Sequence, residues 1–186
     1  YRKMLSQMRQ YIDVVECKMS AKEWGGINYE AVPSRANLIY NDAFLRNDEA
    51  RRREYLGALA KGEVKINAGT LYPHDIVHKY GYASRINDTY EGLWKALPDT
   101  VKGASNTIVV ADGSGSMTCN VGGNSGVTAL DVANALAIYF AERNKGLFHN
   151  HFITFHDKPS LIEIKGNDIV DKVDYVSRAE WGGSTN

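Results

Sequence analysis

The sequence predicts an α/β protein: a mainly α-helical region over residues 1–104, then the first half of a doubly wound, Rossmann-like sheet over residues 105–186. Two observations carry this. The first is a change of pattern at Ser105, from apolar stripes at helical spacing to a strand, loop, helix order. The second is Thr107-Ile-Val-Val-Ala-Asp-Gly-Ser-Gly-Ser116, where a short continuous apolar run ends in a Gly-rich loop. Such a run suits a strand buried on both faces of a parallel sheet.

In the first region Met4, Leu5, Met8, Tyr11 and Ile12 form a helical stripe. Ser34 to Phe44 carries Ala36, Leu38, Ile39, Tyr40 and Phe44, and Asp48 to Leu59 is a charged helix with Tyr55, Leu56 and Leu59 inward. Lys61-Gly62 ends that helix. A short apolar piece, Val64 to Ile66, precedes a segment in which Pro73 suits a first helical turn. Ser84 to Leu97 reads as a helix anchored by Trp94 and Leu97, and Pro98 to Ala104 as a linker.

In the second region Leu130, Val132, Ala133, Leu136, Ala137, Tyr139 and Phe140 recur at helical spacing, with Thr128 or Ser125 as cap. His151-Phe-Ile-Thr-Phe155 alternates as a strand, His156-Asp-Lys-Pro159 is turn-like, and Ser160 to Lys165 returns as an edge hairpin. Gly166 breaks the pattern, and Asp168 to Val176 is helical, capped by Asn167 or Asp168. Residues 107–111 are expected in the middle of the sheet with 151–155 beside them. Three strands leave one flank of that strand unpaired, so completing strands are expected from the rest of the chain or from another chain.

The chemistry concentrates after the first strand. Asp112, Ser114 and Ser116 offer a carboxylate and two hydroxyls at alternate positions, and Gly113 and Gly115 let the backbone turn all three toward one centre. Oxygen-only donors suit Mg²⁺ or Mn²⁺ better than zinc or copper. Asp, Gly and Ser also crowd ordinary turns. The position of this loop, at the carboxyl end of a strand and ahead of a helix, is where open α/β sheets bind ligands.

These residues resemble the von Willebrand factor A domain, whose metal-ion-dependent adhesion site opens with Asp-x-Ser-x-Ser after its first strand. The resemblance implies that a threonine from a second loop completes the inner shell. Trp181-Gly-Gly-Ser-Thr-Asn186 looks like that loop, which makes Thr185 the fourth metal ligand. A further acidic ligand after the next buried strand is expected beyond Asn186, so the resemblance covers the first half of an A domain. It also implies that the open coordination position takes a carboxylate from a protein partner.

Lys22-Glu-Trp-Gly-Gly-Ile-Asn-Tyr29, Val32-Pro-Ser-Arg35, Tyr55-Leu56 with Lys61-Gly62, and Leu71-Tyr-Pro-His-Asp-Ile-Val77 look like a family that joins an α-helical region to an A domain. That family is distantly similar to the Ro (TROVE) ribonucleoproteins, which makes association with a small structured RNA the alternative function.

Other features carry less. Arg51, Arg52 and Arg53 are the residues to contact RNA phosphates, although a charged cluster at a helix start usually faces solvent. His74 and His78 stand four apart without a third zinc ligand in view, and His149, His151 and His156 read as surface or strand-end histidines. Trp24, Trp94 and Trp181 read as packing anchors, Trp181 also as a rim to the metal site. No nucleophile elbow, phosphate-binding Gly-Lys-Ser loop or paired catalytic carboxylates are present, so a binding protein is expected rather than an enzyme, with a Mg²⁺-dependent hydrolase a distant third.

The formal charge is zero but divides unevenly. Residues 1–104 carry sixteen Lys/Arg and thirteen Asp/Glu (16 − 13 = +3), and residues 105–186 carry six and nine (6 − 9 = −3). Cys17 and Cys119 do not form a secreted disulfide framework, so reduced thiols and a cytoplasmic location are expected. No apolar run of about 18 residues exists, so no membrane partner is expected.

Overall fold

The computed structural model describes residues 1–80, 88–101, 107–123 and 126–179. It is a mixed α/β structure in two compact units, Tyr1–Thr70 and Leu71–Asn186.

The first unit is helical: α1 (Arg2–Tyr11), α2 (Val15–Ala21), a 3-10 turn (Trp24–Gly26), α3 (Ser34–Asn47) and α4 (Glu49–Ala60). Its core gathers Val15, Ile27, Tyr29, Val32, Ala36, Phe44, Tyr55 and Leu56, with Trp24 and Leu59 packed against them. Two parts of the expected stripes lie outside that core. Ile39 is 53% exposed, and on the apolar face of α1 Met4, Met8, Tyr11 and Ile12 are exposed while Leu5 is half-buried.

The reverse holds for Arg52, which is fully buried on α4. Its guanidinium lies 5.0 Å from the Tyr29 ring centroid, 5.2 Å from Phe44 and 5.3 Å from Tyr55. It donates to the side-chain oxygens of Asn37 at 3.2 Å and Asn41 at 3.4 Å. Burial pulls its pKa down, and the neighbouring tyrosines oppose that. It remains a cation at physiological pH because guanidinium holds its proton so tightly.

The two tyrosines beside Arg52 are hydrogen-bonded as well as buried. Tyr29 donates to Asp48 at 2.8 Å and Tyr55 to the Lys65 carbonyl at 2.8 Å. Burial, then the bond to Asp48, raises the Tyr29 pKa; burial, opposed by Arg52, pushes Tyr55 up to about 12. A folded pKa above the unfolded value of 10.0 stabilises the fold fully below that pH and loses this contribution as pH rises toward about 12. The urea midpoint is therefore expected to fall over this window, and less steeply in Tyr55→Phe; an equal slope in both would contradict the assignment.

The second unit runs α5 (Pro73–Tyr80), α6 (Asp88–Lys95), β1 (Val109–Asp112), a 3-10 turn (Gly115–Thr118), α7 (Ala129–Arg143), β2 (His151–Phe155), β3 (Leu161–Glu163) and α8 (Ile169–Ser177). This compact unit takes in α5 and α6 because α5 packs on α7 and α6 on α8. Helical periodicity marks α5 and α6 as helices without revealing which neighbour buries them. Ile76, Leu93, Trp94, Ile138, Phe152, Ile169 and Val176 are all 2% exposed or less and form the interior.

The sheet order is β1-β2-β3. β1 and β2 are parallel, with Val109 opposite Phe152 and Asp112 opposite Phe155; β2 and β3 are antiparallel, with Phe152 opposite Ile162. The middle strand among the described residues is thus β2, where the sequence reading put β1. No described strand pairs the other edge of β1, and Val110 is 55% exposed there.

Local chemistry fixes the starts of α7 and α8. Thr128 caps α7 through a capping box: its hydroxyl accepts from Asp131 N at 3.1 Å and its own N–H donates to Asp131 Oδ2 at 2.9 Å. Asp168 caps α8 through Asp171 N at 2.8 Å. Gly166, at φ 142°, is required before α8 because a Cβ would meet Asp171 Cβ at 2.6 Å and Lys172 N at 2.9 Å.

Candidate metal centre

Asp112 is the last residue of β1, and its Oδ1 accepts the backbone N–H of Ser114 at 2.8 Å. This bond turns the chain sharply at Gly113. Ser114 is buried and its hydroxyl lies 3.1 Å from that of Ser116. The following 3-10 turn is closed by Met117 N donating to Ser114 O at 2.9 Å, and Thr118 Oγ1 donates to Gly115 O at 2.7 Å.

The turn is tied back to the next helix. Ala129 N donates to Cys119 O at 3.0 Å, Val121 N donates to Val127 O at 2.8 Å, and Asn120 and Thr128 form an antiparallel bridge. The start of α7 is thereby held against the loop.

Two hydroxyl oxygens 3.1 Å apart match neighbouring ligands of an octahedral ion. With metal-oxygen bonds of about 2.1 Å at right angles, such ligands lie about 3.0 Å apart. Ser114 and Ser116 share a hydrogen bond at that spacing, and Asp112 stands at the base of the same loop. The donor set contains hydroxyl and carboxylate oxygens only, which fits Mg²⁺ or Mn²⁺. Thr185 lies outside the described residues, as do Trp181 and Ser125.

The other expected sites are placed differently. Arg52 is enclosed in the helical core, so it cannot reach a phosphate. Arg51 donates to the carbonyls of Trp24 at 2.9 Å and Ile27 at 2.7 Å and to Asp48 at 2.8 Å, which pins the 3-10 turn to α4. Arg53 is exposed and pairs with Glu49 at 2.8 Å. Of the three arginines expected to contact RNA, only Arg53 is thus presented to solvent without a structural task of this kind. His74 stacks on Tyr72 with centroids 5.6 Å apart, and His78 Nδ1 lies 3.2 Å from Asp131 Oδ2. Among the described residues no three His, Cys, Asp or Glu side chains are grouped as a metal would require.

His156 is the residue that the sequence reading undervalued. It stands at the strand end, as one of the two expected placements has it, but is 6% exposed rather than at the surface, and it directly follows Phe155, the register partner of Asp112. Its Nδ1 lies 3.0 Å from Asp157 Oδ1 and 3.2 Å from Lys158 N, and its buried Nε2 has no hydrogen-bond partner among the described residues. The signal was present: Phe152, Thr154 and His156 continue one alternating buried series.

Comparison with known proteins adds family but no chemistry. Residues 1–107 match the model of a domain of unknown function, DUF2828, and residues 106–186 match a second, DUF7788. An uncharacterized protein of Acanthamoeba polyphaga mimivirus is 33% identical over 202 aligned residues, which take in 100% of this chain. The chain spans 34% of that relative's length. No solved structure matches. With more than half of its residues matched by the first model, the chain belongs to the DUF2828 family.

Proposed function

We propose that the loop after β1 holds a divalent cation, Mg²⁺ or Mn²⁺, through Asp112, Ser114, Ser116 and Thr185, and that the protein uses it to bind an acidic group of a protein partner. The observation that carries this reading is the 3.1 Å approach of the Ser114 and Ser116 hydroxyls beside Asp112 at the carboxyl end of a parallel strand. The ion would supply an open coordination position that a partner carboxylate can fill. The resemblance to the A domain supports the same reading, including the finer architecture of a doubly wound sheet. The parallel β1-α7-β2 arrangement fits it. So does the apolar groove of about 700 Å³ beside β1, walled by Val110, Val132, Leu136 and Phe140, where such a sheet would continue. The free thiols of Cys17 and Cys119 agree with a cytoplasmic protein.

Association with RNA in the manner of the Ro proteins is the second reading. It is weakened by the structural engagement of Arg51 and Arg52. A metal-assisted hydrolase ranks third.

The first two readings respond to opposite perturbations. Partner protein captured from native lysate is expected to leave the full-length protein in chelator and to resist moderate salt. RNA held by Lys and Arg would leave steeply with salt, through counterion release, and remain in chelator. Co-purified RNA with that second behaviour would replace the first reading by the second.

A further inference from the structure

We propose that α1 is a surface anchor that lies on an anionic lipid membrane. None of its residues is buried, and Met4, Met8, Tyr11 and Ile12 are 51%, 55%, 91% and 66% exposed. At about 100° per residue these side chains and Leu5 cover one arc of about 120°, a convex apolar ridge rather than a groove.

Charge complementarity identifies the occupant. Arg2, Lys3 and Arg9 lie on the rest of the helix, which contains no Asp or Glu. Arg2 and Arg9, seven positions apart, border the apolar arc beside Leu5, where long basic side chains lay their stems along acyl chains and keep their charges among headgroups. Tyr1 and Tyr11, each at least 90% exposed, stand at the two ends of the ridge as interfacial aromatics do. A short helix with a strong apolar face, a basic polar face and modest total hydrophobicity lies in the interface without crossing it. Among the described residues no helix is long and apolar enough to cross a membrane, which leaves surface attachment open.

A short turn joins the ridge to α2. Val14 N donates to Arg9 O at 3.2 Å, Asp13 turns the chain at φ 49°, and Lys18 of α2 pairs with Asp13 at 2.6 Å. Ile12 continues the apolar surface into a cleft whose other rim is Ile39. Anchoring through α1 is independent of the metal site.

The test uses the full-length protein and flotation with phosphatidylcholine vesicles, with and without phosphatidylserine. Flotation is expected only with phosphatidylserine, is lost in high salt, and falls at least about tenfold in Met8→Glu, whose exposed site leaves thermal unfolding unchanged. A thiol introduced by Met8→Cys, followed at that position by mass spectrometry, is expected to react with a water-soluble maleimide and to be shielded by the anionic vesicles. A thiol that never reacts would mean the ridge is covered within the full-length protein, and would overturn the proposal. A reactive thiol with no flotation would overturn it in favour of an acidic protein groove. Flotation that survives Met8→Glu would place the contact elsewhere.

Discussion

Arg52→Ala is expected to destabilise the helical unit by about 3–5 kcal/mol, among the largest effects of any substitution there. The substitution removes a cation from three aromatic faces, breaks the bonds to the Asn37 and Asn41 oxygens, and opens a cavity beside a fully buried Phe44. Arg52→Met separates these contributions because it restores much of the volume and none of the hydrogen bonds. It is expected to cost about 2–3 kcal/mol, chiefly because a buried acceptor such as the Asn37 oxygen, once it loses its donor, carries a desolvation penalty of about 1–3 kcal/mol. Urea unfolding followed by the fluorescence of Trp24, which packs on the same core, measures both. Near wild-type stability in Arg52→Met would mean that the asparagine bonds contribute little.

Asp112→Ala is expected to eliminate Mg²⁺ and Mn²⁺ binding, a loss of at least about 100-fold, more than the 10–100-fold typical of residues that only support a ligand. The carboxylate is the sole fixed negative charge of the proposed set. Its Oδ1 also holds the Ser114 N–H, so its removal both discharges the site and frees the turn that aligns the two hydroxyls. Ser116→Ala is expected to lose only about tenfold, because Mg²⁺ readily keeps water in place of a neutral ligand. An equal effect of the two substitutions would show that charge is not what holds the ion.

Much of this arrangement is readable from the residues. The alternation of His151 to Phe155 gives β2, Thr128 with Asp131 gives the start of α7, and the apolar run to Ala111 places Asp112 at a strand end. Periodicity marks a face without naming what covers it, and each misreading follows from that. The stripe on α1 is real, but the described residues leave Met4, Met8, Tyr11 and Ile12 exposed and only Leu5 half-buried. Arg52 stands at i, i+3 and i+4 with Tyr55 and Leu56, on the buried face of α4, yet its charge suggested solvent. Only the cage of Tyr29, Phe44 and Tyr55, drawn from distant parts of the unit, makes that position habitable for a cation. His156 begins the expected turn just after β2, yet its side chain continues the buried alternation of Phe152 and Thr154.

The hydroxyl pair is the clearest case of sequence spacing becoming chemistry. Asp-x-Ser-x-Ser states the residue types, but the 3.1 Å separation depends on the Asp112 bond to Ser114 N, the 3-10 turn from Gly115 and the bridge between Asn120 and Thr128. None of these can be read from composition, because each is a hydrogen bond closed after the chain has turned.

The central claim, that this loop binds a hard divalent cation, is tested most directly by calorimetric titration of Mg²⁺ into the full-length protein beside its Asp112→Ala variant. The account predicts a saturable binding isotherm for the wild type that is absent from the variant, with the variant's thermal unfolding in chelator close to that of the metal-free wild type. The same affinity in both proteins would contradict the assignment of the site to Asp112, Ser114 and Ser116, and no binding to either would contradict the claim itself.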